Sequence, residues 1–173
     1  FRSMPRIYVI PEMLEMRGME QEGWHHKDVF EHVLMVIDNA ARLRDELTRP
    51  KQLALMWGAL MHDIAKPRTR GLIYTCRNCQ HQWFSGRDAR LRPATEAAQC
   101  QQCGSTEVDR AVHFRWHEQI GEQMARDIMA RLRCDGDLIE SVGRLVRLHG
   151  RVNSYLGEWT DGAVRRFIRE IDD

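Results

Sequence analysis

The chain has 173 residues, 43% of them hydrophobic, and 26 basic side chains against 25 acidic ones for a formal net charge of +1. That length fits one domain with a proper core and admits a second module only as an insertion. No apolar run reaches the length of a membrane span, no charged-then-apolar leader is present, and near-neutrality excludes a protein coated for nucleic acid over its whole surface.

The expectation is a soluble, cytoplasmic protein with no membrane partner. Phe1-Arg2-Ser3 ahead of Met4 reads as a cloning remnant and is set aside. The basic residues are 23 Arg and 3 Lys. Guanidinium groups recognise phosphate in bidentate fashion, but the excess runs along the whole chain and fits a biased genome equally well.

In chain order, Val29, Phe30, Val33, Leu34, Val36, Ile37, Ala40 and Leu43 follow a 3.6-residue period, which predicts a helix over 28–47. Asp28 is its expected N-cap, His32 sits on the core-bordering side, and His25 and His26 precede it as exposed residues. Leu53, Met56, Trp57, Ala59, Leu60 and Ile64 predict a second helix with Pro50 in its first turn, ending at His62-Asp63. The stretch 71–110 lacks helical periodicity and reads as a small β-hairpin module. Three further helices are expected over 116–132, 136–149 and 160–171. The fold class is therefore mainly α, a helical domain over 4–70 and 111–173 with a β insert at 71–110. Methionine and aromatic residues on the helical faces are expected to be core.

The insert carries Cys76-x2-Cys79 and Cys100-x2-Cys103, two pairs 20 residues apart. Each pair can turn two thiolates toward one tetrahedral zinc, so four sulfurs complete a structural Zn2+ ribbon; Gly104 eases the second turn, and His81 is a spare donor. Two disulfides are the rival arrangement, but Cys134 is left over and no secretion signal is seen. Between Arg68 and Arg92 lie six arginines and one acid, Asp88, interleaved with Tyr74, Trp83 and Phe84. Such a pattern suits RNA contact through stacking and phosphate neutralisation, while packing of the small ribbon accounts for the aromatics equally.

The helical part holds the second constellation. His62 and Asp63 are adjacent and diverge by about 100° on a helix, so both face one ion only near a helix end. Ala65-Lys66-Pro67 supplies that end, because proline disfavours helical geometry in the residue before it. Imidazole and carboxylate together suit Mn, Fe, Co, Ni, Zn or Mg, and a site left partly open activates water. Lys66 is placed to hold a phosphate, with Arg70, Arg115 and Arg147 as further phosphate-binding candidates, though a snorkelling surface lysine fits its position too. His117 starts one helix and His149 ends the next, so an antiparallel pair is expected to hold them apart unless the helices bend round a cleft.

Six stretches resemble the HD superfamily in the family's order: Pro11-Glu12, Trp24 to His32, Leu60 to Pro67, Phe114 to Gly121, Leu145 to His149 and Asp161 to Phe167. The resemblance is closest to the HD domain of bacterial tRNA nucleotidyltransferases, the CCA-adding enzymes, and covers most of the chain outside the insert. It implies a metal site of His32, His62 and Asp63, with His117 and His149 lining the same cleft, one or two catalytic divalent cations, and hydrolysis of a nucleotide or another phosphoester. HD proteins commonly add a late aspartate; Asp172, Asp173 or Asp161 are the candidates here. The Gly-Ser and paired-carboxylate signature of a nucleotidyltransferase head is not found in this chain, so the HD domain is expected to stand alone.

The leading expectation is a metal-dependent phosphohydrolase, a phosphodiesterase or phosphatase acting on nucleotides or RNA ends such as 2',3'-cyclic phosphates or nucleoside monophosphates. A dNMP or dNTP phosphohydrolase shares the same metal logic. From another class, a non-catalytic HD and zinc-ribbon module that binds RNA or protein competes. The sequence leaves the oligomeric state open.

Overall fold

The computed structural model describes residues 9–19, 28–85, 99–152 and 159–172. His25, His26 and Asp173 lie outside these, as do the first three residues and the end of the arginine-rich run. Among the described residues, six helices and three strands follow one another as α1 (Val29–Leu43), α2 (Arg49–Met61), α3 (Lys66–Thr69), β1 (Gly71–Cys76), β2 (Gln82–Ser85), β3 (Val108–His113), α4 (His117–Arg131), α5 (Gly136–Val152) and α6 (Asp161–Asp172). The protein is mainly helical with one small antiparallel sheet. Short 3-10 turns at Pro11–Met16 and Arg44–Glu46 flank α1.

The first helix starts where its cap dictates. The Asp28 carboxylate accepts the Glu31 backbone N–H at 2.7 Å, and its second oxygen accepts Gly18 N–H at 2.8 Å. One side chain therefore caps α1 and ties the preceding turn to it. The buried arc of α1 is Val29, Val33 and Ala40, spaced four and seven residues apart. Leu34 and Leu43, expected on that arc, lie on its flanks and stay 46% and 60% exposed.

The core joins Met16 and Met19 to Val33 of α1, Met61 of α2, Ile64, Met124 and Met129 of α4 and Val146 of α5. Its methionines fill space between helices, as flexible thioethers do. The close approach of α4 to this core occurs at Gly121, where an added Cβ would stand 3.1 Å from Val146 Cγ1 and 3.6 Å from Ala65 Cβ. α4 and α5 form an antiparallel hairpin. Along it, Arg126 pairs with Glu140, Gly121 faces Val146 and Gly150 faces Glu118. No helix among the described residues is long and apolar enough to cross a membrane.

The insert holds three strands rather than a hairpin alone. β1 is central, with Ile73 opposite Phe84 on β2 and Ala111 on β3. The third strand comes from the chain returning after the second cysteine pair, and its exposed, irregularly alternating Val108–His113 gave little period-2 signal.

Candidate metal centre

Local backbone geometry delivers the His-Asp pair. α2 closes at Met61, His62 takes the C-cap position, and Pro67 opens α3 as a first-turn proline. The turn between them lets the adjacent side chains of His62 and Asp63 converge, as a continuous helix would not allow. Ile64, expected within the second helix, lies in this turn and is buried in the core.

Asp63 is the centre. It is 1% exposed, and its two oxygens face different histidine pairs. Oδ2 lies 3.1 Å from His62 Nε2 and 3.7 Å from His32 Nε2; Oδ1 lies 3.6 Å from His117 Nε2 and 3.7 Å from His149 Nε2. His62 and His149 join the two trios, their ring centroids 5.2 Å apart. Ligands about 2.1 Å from one ion stand about 3.0 Å apart at octahedral corners and about 3.4 Å apart at tetrahedral ones. The separations around Asp63 are of that size.

Antiparallel packing brings His117 and His149 together instead of separating them. The start of the first helix of an antiparallel hairpin necessarily lies beside the end of the second, so the sequence-based expectation reversed the geometry. Their Nε2 atoms are 3.2 Å apart.

The rings are oriented by the same device three times. His62 Nδ1 lies 2.9 Å from the Ala59 carbonyl, His117 Nδ1 2.8 Å from the Phe114 carbonyl and His149 Nδ1 2.7 Å from the Val146 carbonyl. A carbonyl only accepts, so each Nδ1 carries a proton and donates it, and Nε2 is the ring nitrogen turned toward the centre. Glu118 Oε2 adds a carboxylate 3.3 Å from His117 Nδ1. These supports, Ala59, Phe114, Val146 and Glu118, were not singled out from the sequence; their signal is that each carbonyl lies three residues before its histidine.

Charge in the site is coupled. Burial alone would raise the Asp63 carboxyl, but the His149 and His62 rings and the Lys66 ammonium outweigh it and hold the group well below the usual carboxylate range. Burial pushes His149 down, yet Asp63 and the Val146 carbonyl win and raise it; for His117 burial dominates and lowers it. Lys66 Nζ sits 2.9 Å from Asp63 Oδ2 and 5.3 Å from the Phe114 ring centroid. It neutralises Oδ2 as a charge, but no donor is aligned on that buried oxygen for a hydrogen bond. A buried carboxylate oxygen without an aligned donor among the described residues, flanked by the Nε2 atoms of His32 and His62, fits a divalent cation.

The remaining candidates are not among the ligand-type groups gathered at Asp63. Arg147 pairs with Glu122 at 3.2 Å on the outer side of the hairpin, and Arg115 lies 4.3 Å over the Phe84 ring. Arg70 bridges α3 and β1 as a half-buried residue. Asp161 opens α6 with a side chain 95% exposed, 4.0 Å from Arg165, and does not join the cluster. The side chain of Asp172 lies outside the described residues.

The four cysteines form a separate cluster. Their sulfurs lie within 4.8 Å of one another, with Cys76 to Cys103 and Cys79 to Cys100 each 3.5 Å apart. A disulfide needs about 2.05 Å, whereas sulfurs about 2.3 Å from one zinc stand about 3.8 Å apart. All four are free thiols. Cys103 is drawn down to about 6, chiefly by the Ser105 backbone N–H, while Cys79 is pushed up to about 12: the His81 backbone N–H favours its thiolate, but desolvation and the neighbouring sulfurs outweigh that.

The HD domain family model matches residues 29–165, which is most of the chain and includes Asp63 and the four histidines around it. This chain belongs to the HD domain family. It is similar to the A-adding tRNA nucleotidyltransferase of Deinococcus radiodurans, 27% identical over 140 residues that make 81% of this chain and 24% of that protein. The CC-adding tRNA nucleotidyltransferase of Thermus thermophilus is 29% identical over the same shares of each. A multifunctional CCA protein of an Azoarcus species is 36% identical over 67 residues, 38% of this chain. The HD chain thus spans about a quarter of the length of the first two curated relatives. No solved structure matches it. HD membership suggests the metal-dependent hydrolase superfamily, and both the His/Asp and the cysteine clusters are able to bind metal.

Proposed function

We propose that this chain is a metal-dependent phosphohydrolase, a phosphodiesterase or phosphatase acting on nucleotides or RNA ends such as 2',3'-cyclic phosphates or nucleoside monophosphates. The observation that carries this reading is the buried Asp63 carboxylate facing a histidine pair on each oxygen, with Oδ2 lacking an aligned donor. In it, His32, His62, Asp63, His117 and His149 hold one or two divalent cations, and Cys76, Cys79, Cys100 and Cys103 hold a structural zinc in a ribbon inserted at 71–110. The relatives act on tRNA by their names, which supports RNA among the partners.

A divalent cation in such a site polarises a phosphoryl oxygen and brings the pKa of water toward about 7. The protein's own residues do the rest. The three Nδ1–H donors fix ring planes, so the Nε2 lone pairs are preorganised and no reorganisation is needed on binding. Lys66 is the cation nearest the centre. With the Asp63 charge engaged by metal, its ammonium is available within the same short α3 turn for a non-bridging phosphate oxygen, while Phe114 shields one side of it from water. Arg70 and Arg115 are further phosphate contacts in this reading, and Arg147 contributes only if it leaves Glu122.

The test is a hydrolysis screen with Mn, Ni, Co and Mg on bis-p-nitrophenyl phosphate, 2',3'-cyclic nucleotides, nucleoside monophosphates and their deoxy and triphosphate counterparts. Metal-dependent turnover that falls by about a hundredfold or more in Asp63→Ala is expected. Turnover confined to dNMP or dNTP would move the assignment to that phosphohydrolase class. A metal-replete protein inert on every substrate would overturn the reading in favour of a non-catalytic RNA- or protein-binding module.

A further inference from the structure

The sheet carries an ordered row of rings that the metal centre does not use. Tyr74 on β1 is paired with Trp83 on β2 and Arg110 on β3, so these three side chains share one face. Tyr74 and Trp83 stack with centroids 5.5 Å apart and planes 11° apart; His81 continues the row on Trp83 at 5.8 Å and 20°. Among the described residues the rings are half-exposed, whereas burial in this module falls on Cys76 and Cys100. The module's core is its cysteine cluster, so the row is not needed to fill an interior. Among the described residues, no helix packs broadly on either side of the sheet.

Charge on this face has one sign. Arg110 is exposed beside Tyr74, while the acid of the same strand, Asp109, pairs with Thr75 on the opposite face and is neutralised by Arg77.

The base of the sheet adjoins the cleft residues along the chain. β1 begins at Gly71, five residues after Lys66, and β3 ends at His113, four residues before His117; Gly71 and His113 are paired across the ladder. Tyr74 is three residues along β1, about 10 Å from that base at about 3.3 Å per residue. Parallel aromatic planes beside guanidinium groups are what successive bases and phosphates of an unpaired strand require, since every base has a π-face and a duplex hides its bases.

We propose that the sheet face bearing Tyr74, Trp83 and Arg110, with His81 at the end of the row, binds single-stranded RNA and leads its phosphoester end into the cleft around Asp63. The direction of the strand rests on the phosphohydrolase reading; the binding itself rests on the sheet alone.

The experiment is fluorescence anisotropy of the zinc-loaded protein with a labelled single-stranded RNA dodecamer and with the same sequence as a duplex, over a series of salt concentrations. Wild type is expected to prefer the single strand. Trp83→Leu, which keeps apolar bulk but removes the π-face, is expected to weaken binding about tenfold, and Trp83→Phe to restore most of it. Arg110→Gln is expected to lower the slope of log K against log salt by about 0.7, one phosphate contact on a single strand. Zinc content measured on each variant shows that the ribbon is intact. Equal affinity of wild type and Trp83→Leu, or equal binding of duplex and single strand, overturns the inference. Hydrolysis of the small ester reads the cleft and not the sheet. Loss of the phosphohydrolase reading with stacking-dependent RNA binding intact, or the reverse, is therefore visible as such.

Discussion

His117 Nε2 and His149 Nε2 face each other at 3.2 Å, while both rings donate Nδ1–H to backbone carbonyls three residues upstream. Two lone pairs cannot sit at that distance without a proton or a metal ion between them. In the proposed centre a bound cation would take that place. His149→Ala and His117→Ala are each expected to weaken Mn or Co binding at least about tenfold, the lower range seen when even an outer support of a metal site is removed. Isothermal titration against the zinc-loaded protein checks this, and affinities equal to wild type would take the two histidines out of the centre.

The convergence of His62 and Asp63 was legible because a turn residue follows them: Pro67 signalled a break in the helix, and the break is what lets adjacent side chains converge. Helix α5 was legible from its apolar period, though it runs to Val152, three residues beyond the expected end, since Gly150 is tolerated inside it. What the sequence could not show is tertiary. The carbonyls of Ala59, Phe114 and Val146 that select each tautomer are backbone atoms present at every residue, and only the fold aims them. The His117 and His149 contact was encoded in helix order but needed the antiparallel geometry to be drawn correctly.

A carboxylate remote from the centre sets part of the acid sensitivity. Glu12 receives two hydrogen bonds from Arg131 at 2.8 and 3.0 Å, tying the first turn of the chain to the end of α4. The Arg131 guanidinium holds this carboxyl below the usual Glu range. The native state thus binds fewer protons than the unfolded chain, so the contribution to stability is present above the unfolded pKa of about 4.3 and is lost as pH falls through the folded value. Glu12→Gln is expected to unfold at lower urea than wild type at pH 7, with the two midpoints converging as pH drops below about 4. A gap that persists unchanged in acid would assign the loss to packing instead.

Gly121 decides how closely α4 approaches the turn that carries Asp63. A methyl there meets Val146 Cγ1 at 3.1 Å, and a β-branched side chain on a helix has one strongly preferred rotamer, so it yields only by moving the backbone. Alanine gains about 1 kcal/mol of helix propensity and loses about 1–3 kcal/mol to overpacking. Gly121→Ala is expected to be destabilised by about 1 kcal/mol and to bind divalent metal more weakly, because His117 lies one turn away on the same helix. Chemical denaturation and metal titration read the two effects; a variant more stable than wild type would show that the α4–α5 interface has slack.

The cysteine cluster is expected to hold one zinc per chain independently of the HD centre. Its sulfurs are too far apart for disulfides and close to the edge lengths of a tetrahedral thiolate site. Sulfur–zinc bonds would pin the far end of the β1–β3 ladder, where Cys76 closes β1 and Cys103 sits five residues before β3. Chelation should therefore open the sheet while the α1, α2, α4 and α5 core, built from Met61, Met129, Val33 and Val146, persists. The signature is release of one equivalent of zinc with a red shift of tryptophan fluorescence and little change in helical circular dichroism. Cys103→Ser should abolish that equivalent and leave metal binding at Asp63 in place. If both metals were lost together in Cys103→Ser, the sheet and the cleft would be one cooperative unit, a coupling that the short connections Lys66 to Gly71 and His113 to His117 would transmit.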